Sequence, residues 1–463
     1  MQNRYCQIIG KPLFFLTTIY FVGLLAVLLL FGFTPTNDGE GYLKYAQVCL
    51  GEGQPYPTNY IYHTSPFIWN IGIINLTELS LWLFHSIKPL LILLCMMKAL
   101  TALFLALTTE RLMGYNAAVI CLILFAVYPN NWGQSTMLSS EIPSTMLAVT
   151  AVYLFVCHHQ LFICGLLLAL ANWFRPTATI FLLVIIFFLI IFQRKQLLKN
   201  ICLLLAGFTF FIIIVGTSCY LRTSHFIYQA RSYWFSMVDE CYDGAEVAPH
   251  WGQPIWPKGT PRYIENHEQM DCFEYERIWK ERSISWLKNH PGVYLSKIPG
   301  RLYYMYQSDY DNMPAFLSDK SKAENNYITI PYKHLISEYN TINFAQWLSL
   351  ASLFFYYILL IIATIGAFKL YHYQQYRTLF LTLSIIVGGT LALVIVMHGE
   401  TRFKDSLMPF LFMLASIHWN KQGLNLCNRE EAISNRKMIK YPTLPIHKEF
   451  ESIDSIFIAS VLK

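Results

Sequence analysis

Two carboxylates, Asp38 and Glu40, stand in the stretch Thr36-Asn37-Asp38-Gly39-Glu40-Gly41-Tyr42-Leu43-Lys44-Tyr45-Ala46, just after a strongly apolar run over 13–33. A carboxylate at the edge of a membrane helix is costly to place and useful for chemistry. One carboxylate can act as a general base, taking a proton from an acceptor hydroxyl or amine while that nucleophile attacks an activated sugar. One suffices when the leaving group is already a phosphate, whereas glycoside hydrolysis normally needs two. The competing role is structural: Asn37 or Asp38 can cap a short helix over 39–50, with Gly51 as its stop. An Asn-Asp-Gly turn is also common at helix starts. The residues alone leave both roles open. Asp38 and Glu40 could also ligate a divalent metal ion, although a single acid-x-acid pair is weak evidence. Glu40 and Lys44 are four apart and could pair.

Further along, His398-Gly399-Glu400-Thr401-Arg402-Phe403 packs His398, Glu400 and Arg402 into five residues between two apolar runs. Arg175, in Trp173-Phe174-Arg175-Pro176, also sits at a helix end. An arginine fork suits a phosphate leaving group, against the commoner use of snorkelling to lipid headgroups. Lys44 could reach a phosphate too. Glu141, in Ser139-Ser140-Glu141-Ile142-Pro143, either starts a helix favourably or positions a base or a substrate. His63, in Tyr60-Ile61-Tyr62-His63-Thr64-Ser65-Pro66, could hydrogen-bond a sugar or phosphate, or simply be a solvated loop histidine. Trp234, Trp251, Trp256, Tyr56, Tyr60 and Tyr62 could stack on sugar rings or form an interfacial belt. No Gly-rich phosphate loop and no HExxH motif occurs.

The elements that must position these groups are membrane helices. Of the 463 residues, 55% are apolar, 16% aromatic and only 13% charged. Soluble domains carry roughly 25% charged residues. An all-α polytopic membrane protein follows, with about ten spans and a range of roughly eight to twelve. Apolar runs recur at 13–33, 89–109, 115–128, 142–157, 161–173, 177–192, 201–220, 344–368, 378–397 and 405–418. The first is too long for a cleaved signal peptide and is taken as the first span. A segment over 67–84, amphipathic and rich in Ile, Leu and Trp, is placed flat in the interface.

Arg4 and Lys11 keep the N-terminus cytoplasmic by the positive-inside rule. Glu110-Arg111, Arg194-Lys195, Lys369 to Arg377 and the tail from Lys421 then fall on the same side. Asp38 faces outward. The outer face holds 34–88, about 129–141, about 174–176, 221–343 and about 398–404, so the polar residues gather at one rim. The domain division is a catalytic membrane domain over 1–420 and a polar tail over 421–463. In the large loop 221–343, Glu268 to His290 reads as a charged amphipathic helix stopped by Pro291-Gly292, and Val293 to Tyr306 as another. Eleven cysteines occur without CxxC pairs. Cys241 and Cys272 could form a disulfide if that loop faces an oxidising compartment. A net charge of +6 without a basic stripe interleaved with aromatics argues against nucleic acid as a partner.

The order of these pieces resembles the GT-C membrane glycosyltransferases, in particular GT39-like and ArnT-like enzymes that use polyprenyl-phosphate sugars. The resemblance covers about 400 residues. It begins with Asp38-x3-Tyr42-x3-Ala46 after the first helix. Gly53-Gln54-Pro55-Tyr56 and His63-Thr64-Ser65-Pro66 follow, then Ser140, Glu141 and Pro143, then Arg175-Pro176. It ends with Glu400, Arg402, Phe403 and Pro409. In that family the first-loop aspartate is taken as the base, which carries over to Asp38. Basic residues of the outer loops contact the lipid phosphate, which carries over to Arg402. Glu40 is offset by a glycine from the adjacent Asp-Glu pair of the protein O-mannosyltransferase branch. Ser65 stands in place of the first proline of the common Pro-Pro.

The expectation is a multi-pass membrane glycosyltransferase, placed in a bacterial inner membrane with its site facing the periplasm. Its partners would be the bilayer, a polyprenyl-phosphate-linked sugar donor, and a lipid, glycan or protein acceptor. No cofactor is assigned beyond the metal option at Asp38 and Glu40. The substrate-binding set is Glu40, Tyr42, Lys44, His63, Glu141, Arg175, His398, Glu400 and Arg402. The rival is an O-antigen polymerase- or ligase-type handler of lipid-linked glycans, which would use arginines of the large loop (Arg231, Arg262, Arg301). A transporter is a third class, disfavoured because Lys98 is nearly the only charge inside a span.

Overall fold

A computed structural model describes residues 2–56, 67, 69–241, 262–265, 270–309, 344–396 and 399–419. His63, His398, Trp251, Trp256, Tyr60, Tyr62 and the tail lie outside the described residues. Within them the chain is helical. The elements that matter for the site are α1 (Gln2–Phe31), α2 (Asn37–Glu52), α3 (Ile71–Phe84), α4 (Lys88–Met113), α5 (Tyr115–Val127), α6 (Pro129–Gly133), α7 (Glu141–His158), α8 (Leu161–Phe174), α9 (Thr179–Phe192) and α10 (Leu197–Thr223). The large loop adds α11 (Tyr233–Glu240), α12 (Cys272–Asn289), α13 (Pro291–Ser296) and α14 (Ile298–Tyr306). They are followed by α15 (Phe344–His372), α16 (Tyr376–Val396) and α17 (Met408–Ser416).

Every apolar run read from the sequence has a helix. Among the described residues, six helices are long and apolar enough to cross a bilayer: Pro12–Phe31 within α1, then α4, α7, α10, Trp347–His372 within α15, and α16. The helices α3, α5, α8 and Pro176–Phe192 are apolar but shorter. Short helices are tolerated at membrane depth when neighbouring protein satisfies their ends. Large apolar side chains stay exposed along the spans, for example Leu29, Leu30, Leu198, Leu221 and Phe368. Such a belt would aggregate in water and is at home in lipid.

The core is built around α4, which packs against α1, α5 and α7. Next, α8 lies between α7 and α10. Two glycines set the α8–α10 distance. A Cβ at Gly165 would lie 1.9 Å from the Leu204 carbonyl oxygen, and one at Gly207 would lie 1.9 Å from that of Phe162. Backbone touches backbone there, as small residues allow between membrane helices.

The described part of the large loop, 221–241, 262–265 and 270–309, is folded as a cap. As expected, a charged helix ends at Pro291: α12 is capped by Asp271, whose carboxylate accepts from the backbone N–H groups of Phe273 and Glu274 at 2.8 and 2.9 Å. The segment expected as one helix over 293–306 divides into α13 and α14. Cys241 and Cys272 are not joined in a disulfide. They are buried in different apolar clusters, Cys272 with Tyr56, Phe67 and Ile71, and Cys241 with Met237 and Tyr294.

Candidate active site

Helix α2 places the first-loop acids. Its cap is Thr36, not Asn37 or Asp38: the Thr36 hydroxyl accepts from the Gly39 N–H at 3.1 Å. Its stop is Gly53, not Gly51, in the left-handed region at φ 67°. A glycine takes that conformation without steric cost. With Thr36 capping, Asp38 lies in the first turn and its carboxylate is not spent on the helix end. Gly39 accounts for the gap between the acids. A Cβ there would lie 2.8 Å from the Thr36 hydroxyl and 3.3 Å from the Leu138 carbonyl, so any side chain would press on the capping group and on that segment.

Glu40 and Lys44 are both exposed and do not pair with each other. Each lies two residues from the buried Tyr42, about 200° around the helix from it. They therefore stand apart from the face that carries Tyr42.

Across 364 positions of chain, Arg402 reaches Asp38. Its Nη1 donates to Asp38 Oδ2, and its Nε donates to Glu400 Oε2 at 2.8 Å. The short helical turn Thr401–Lys404 presents it. The side chains of Asp38, Glu400 and Arg402 are 27%, 23% and 29% exposed, so the cluster is reachable by a substrate. Burial works against the Arg402 charge, but the carboxylates of Asp38, Glu400 and Glu141 outweigh it and hold the guanidinium firmly protonated.

Behind this open cluster lies an enclosed one. Arg175 pairs with Glu141, and their side chains are only 10% and 12% exposed. Glu141 Oε2 also accepts from the hydroxyls of Ser139 at 2.8 Å and Ser140 at 3.2 Å. Asn70 Nδ2 donates to Tyr42 Oη and Ser140 Oγ, both at 3.0 Å, and those two oxygens are 3.3 Å apart. Burial first, then the charges of Asp38 and Glu141, push the Tyr42 phenol well above its ordinary value. It remains a neutral donor. The guanidinium of Arg175 stands 5.4 Å from the Phe403 ring centroid, which ties the inner pair to the residue after Arg402.

Six residues singled out from the sequence thus converge: Asp38, Tyr42, Glu141, Arg175, Glu400 and Arg402. Asn70 stands in the sequence only as a polar interruption of the segment over 67–84, and nothing local ties it to the site. A deeper set was missed. Lys98 Nζ donates to Gln134 Oε1, and Gln134 Nε2 donates to Asp405 Oδ2 at 2.7 Å. Lys404 Nζ contacts Asp309 Oδ1 at 2.9 Å and donates to Ser308 O at 2.7 Å, and Asp309 also accepts from Tyr128. Lys98, Tyr128, Gln134, Asp309 and Asp405 border a cavity of about 20 Å³ that Glu141 also lines. A lone lysine in an apolar run was a usable signal, because a charge there requires a compensating partner.

For a divalent metal, Asp38 is engaged by Arg402 and Glu40 is exposed. Among the described residues no group of three His, Cys, Asp or Glu side chains is arranged to hold one.

Residues 73–220 match the family model of dolichyl-phosphate-mannose-protein mannosyltransferases. That stretch contains Glu141 and Arg175, and over it the resemblance to GT-C glycosyltransferases is borne out. No curated protein matches the chain. Among solved structures, the Archaeoglobus fulgidus oligosaccharyltransferase in its apo form matches at 13% identity and TM-score 0.48, over 96% of this chain and 54% of that one. The archaeal oligosaccharyltransferase from the same organism, in complex with an inhibitory peptide and a dolichol-phosphate, matches at 11% identity and TM-score 0.46, over 97% and 54%. The chain spans about half the length of those structures.

Proposed function

We propose that this chain is an inverting membrane glycosyltransferase that moves a sugar from a polyprenyl-phosphate donor to an acceptor hydroxyl or amine. The observation that carries the reading is the meeting of Asp38 and Arg402, a base candidate and a phosphate-binding candidate from opposite ends of the chain, in one accessible cluster. The family match between them supports the lipid-phosphate donor.

In this scheme the donor phosphate takes the Arg402 fork, which releases the Asp38 carboxylate. Asp38 accepts the proton of the acceptor as the acceptor's oxygen or nitrogen forms its bond to the anomeric carbon. The bond from that carbon to the phosphate oxygen breaks, and its electron pair leaves on the phosphate. Attack opposite the leaving group inverts the centre. Arg402 meets the charge that develops on the phosphate; pre-placed donors of this kind are worth roughly 3–4 kcal/mol of barrier. Tyr42, Asn70 and the Glu141–Arg175 pair form the polar wall behind the reacting atoms. Glu40, Lys44, His63 and His398 remain candidates for holding the acceptor or the sugar. The site faces the periplasm if the chain inserts with its basic loops inside.

The polymerase- or ligase-type alternative is disfavoured by the arginines it needs. Arg262, paired with Asp239, and Arg301, paired with Glu240, have side chains only 11% and 0% exposed, so a substrate does not reach them as it reaches Arg402; Arg231 pairs with Glu276.

The test is sugar transfer from a polyprenyl-phosphate sugar by purified protein. Asp38→Asn should reduce turnover by about a hundredfold or more, with an unchanged unfolding midpoint in detergent. Arg402→Ala should raise the donor requirement. Wild-type turnover in Asp38→Asn would rule out this base, and unchanged donor dependence would remove Arg402 from the site.

A further inference from the structure

Asp38 and Arg402 both hang from one short segment, residues 134–138. On the Asp38 side, the Thr34 N–H donates to the Thr136 carbonyl at 2.9 Å, and the two threonine hydroxyls are 2.9 Å apart. Gly39 then lies against Leu138 at the start of α2. On the Arg402 side, the Asp405 N–H donates to the Arg402 carbonyl at 3.2 Å, which closes one turn. The Asp405 carboxylate in turn accepts from Gln134 Nε2 at 2.7 Å. Gln134 is only 4% exposed, and its other face accepts from Lys98.

The chain is therefore ammonium, amide, carboxylate. An amide has one donor end and one acceptor end. With Lys98 at its oxygen, Gln134 can present only N–H to Asp405. The groups facing Asp405 are Lys98 from α4, Gln134, Glu141 from α7, and Asp309 and Lys404. None of them needs to touch substrate for this arrangement to hold.

We propose that Gln134 and Asp405 are positioning residues, whose Lys98-oriented hydrogen bond sets where Arg402 stands relative to Asp38 and hence relative to the donor phosphate. The role in donor binding rests on the glycosyltransferase reading; the latch itself does not. Lys404 adds a second tie on the same turn, through the carbonyls of Ser308 and Thr401 at 2.7 and 3.0 Å.

The experiment uses full-length protein in detergent, with Gln134→Glu and the double variant Gln134→Glu/Asp405→Asn. The single change faces two acceptors at each other. The double change restores one donor and one acceptor and keeps the total charge of the wild type. Two readouts are taken: amide hydrogen exchange over residues 399–407, and the donor KM and kcat for sugar transfer. Gln134→Glu should speed that exchange and lower kcat/KM for donor, each by about tenfold, as expected for one buried polar pair left unmade. The double variant should bring both back to within about threefold of wild type, since the coupling of contacting residues is what the swap repairs. Unchanged exchange in Gln134→Glu, or a double variant no better than the single, would overturn the proposal. If wild-type protein transfers from no polyprenyl-phosphate sugar, the functional reading fails, and the exchange readout still decides the latch.

Discussion

At the scale of single residues, the site is a charge-matching problem. Arg402 holds two carboxylates, Asp38 and Glu400, so a phosphate must compete for a fork that is already filled. A sugar–phosphate diester spreads its one charge over two free oxygens, which the planar fork can take bidentately, and the phosphate gains a second charge as the sugar leaves. Arg402→Lys keeps the charge but loses the fork, so kcat/KM for the donor should fall while the unfolding midpoint in detergent holds. An unchanged kcat/KM would show that charge alone suffices at this position.

Individual helices show how close approach is bought with missing side chains. The α8–α10 contact tolerates nothing beyond hydrogen at Gly165 and Gly207, because the obstacle is backbone carbonyl and not a movable side chain. Gly207→Leu should separate the two helices and cost about 1–3 kcal/mol or more, the range for overpacked sites. Since Arg175 directly follows α8, activity should fall along with the detergent unfolding midpoint. An unchanged midpoint would show that the crossing can relax. Helix α2 depends on glycine in the same way: Gly39 gives it room against Leu138, and Thr36 caps it so that Asp38 stays available.

For the molecule as a whole, the cap over the spans is held by a buried ion pair. Arg301 is fully buried; its Nη2 donates to Glu240 Oε2 at 2.7 Å and its Nη1 donates to the Val394 carbonyl at 3.1 Å. A Cβ on Gly399 would sit 1.9 Å from the Arg301 carbonyl, so the cap presses on the turn that leads to Arg402. Glu240→Ala leaves a buried arginine without its counter-charge, a change that costs about 3–5 kcal/mol. Limited proteolysis should then cut the 221–309 region faster than in wild type. An unaltered cleavage rate would mean that the cap is anchored elsewhere.

The sequence by itself determined the class of the molecule and most of the chemistry at its rim. Apolar runs long enough to need a bilayer, and polar motifs confined to the segments between them, are properties of local composition. Hydrocarbon leaves a chain few alternatives to helix. The order of Asp38, Glu141, Arg175 and Arg402 was legible for the same reason, because each follows or precedes a helix. Tertiary structure decided the pairing. Which cation stands beside Asp38 depends on which side of α2 faces the bundle. That face is fixed by the burial of Tyr42 and the close approach at Gly39, both set by residues far away in sequence. The Lys98–Gln134–Asp405 chain was unreadable for a related reason. A buried charge announces that it needs a partner, but only the packing of α4 against the segments around it says which one.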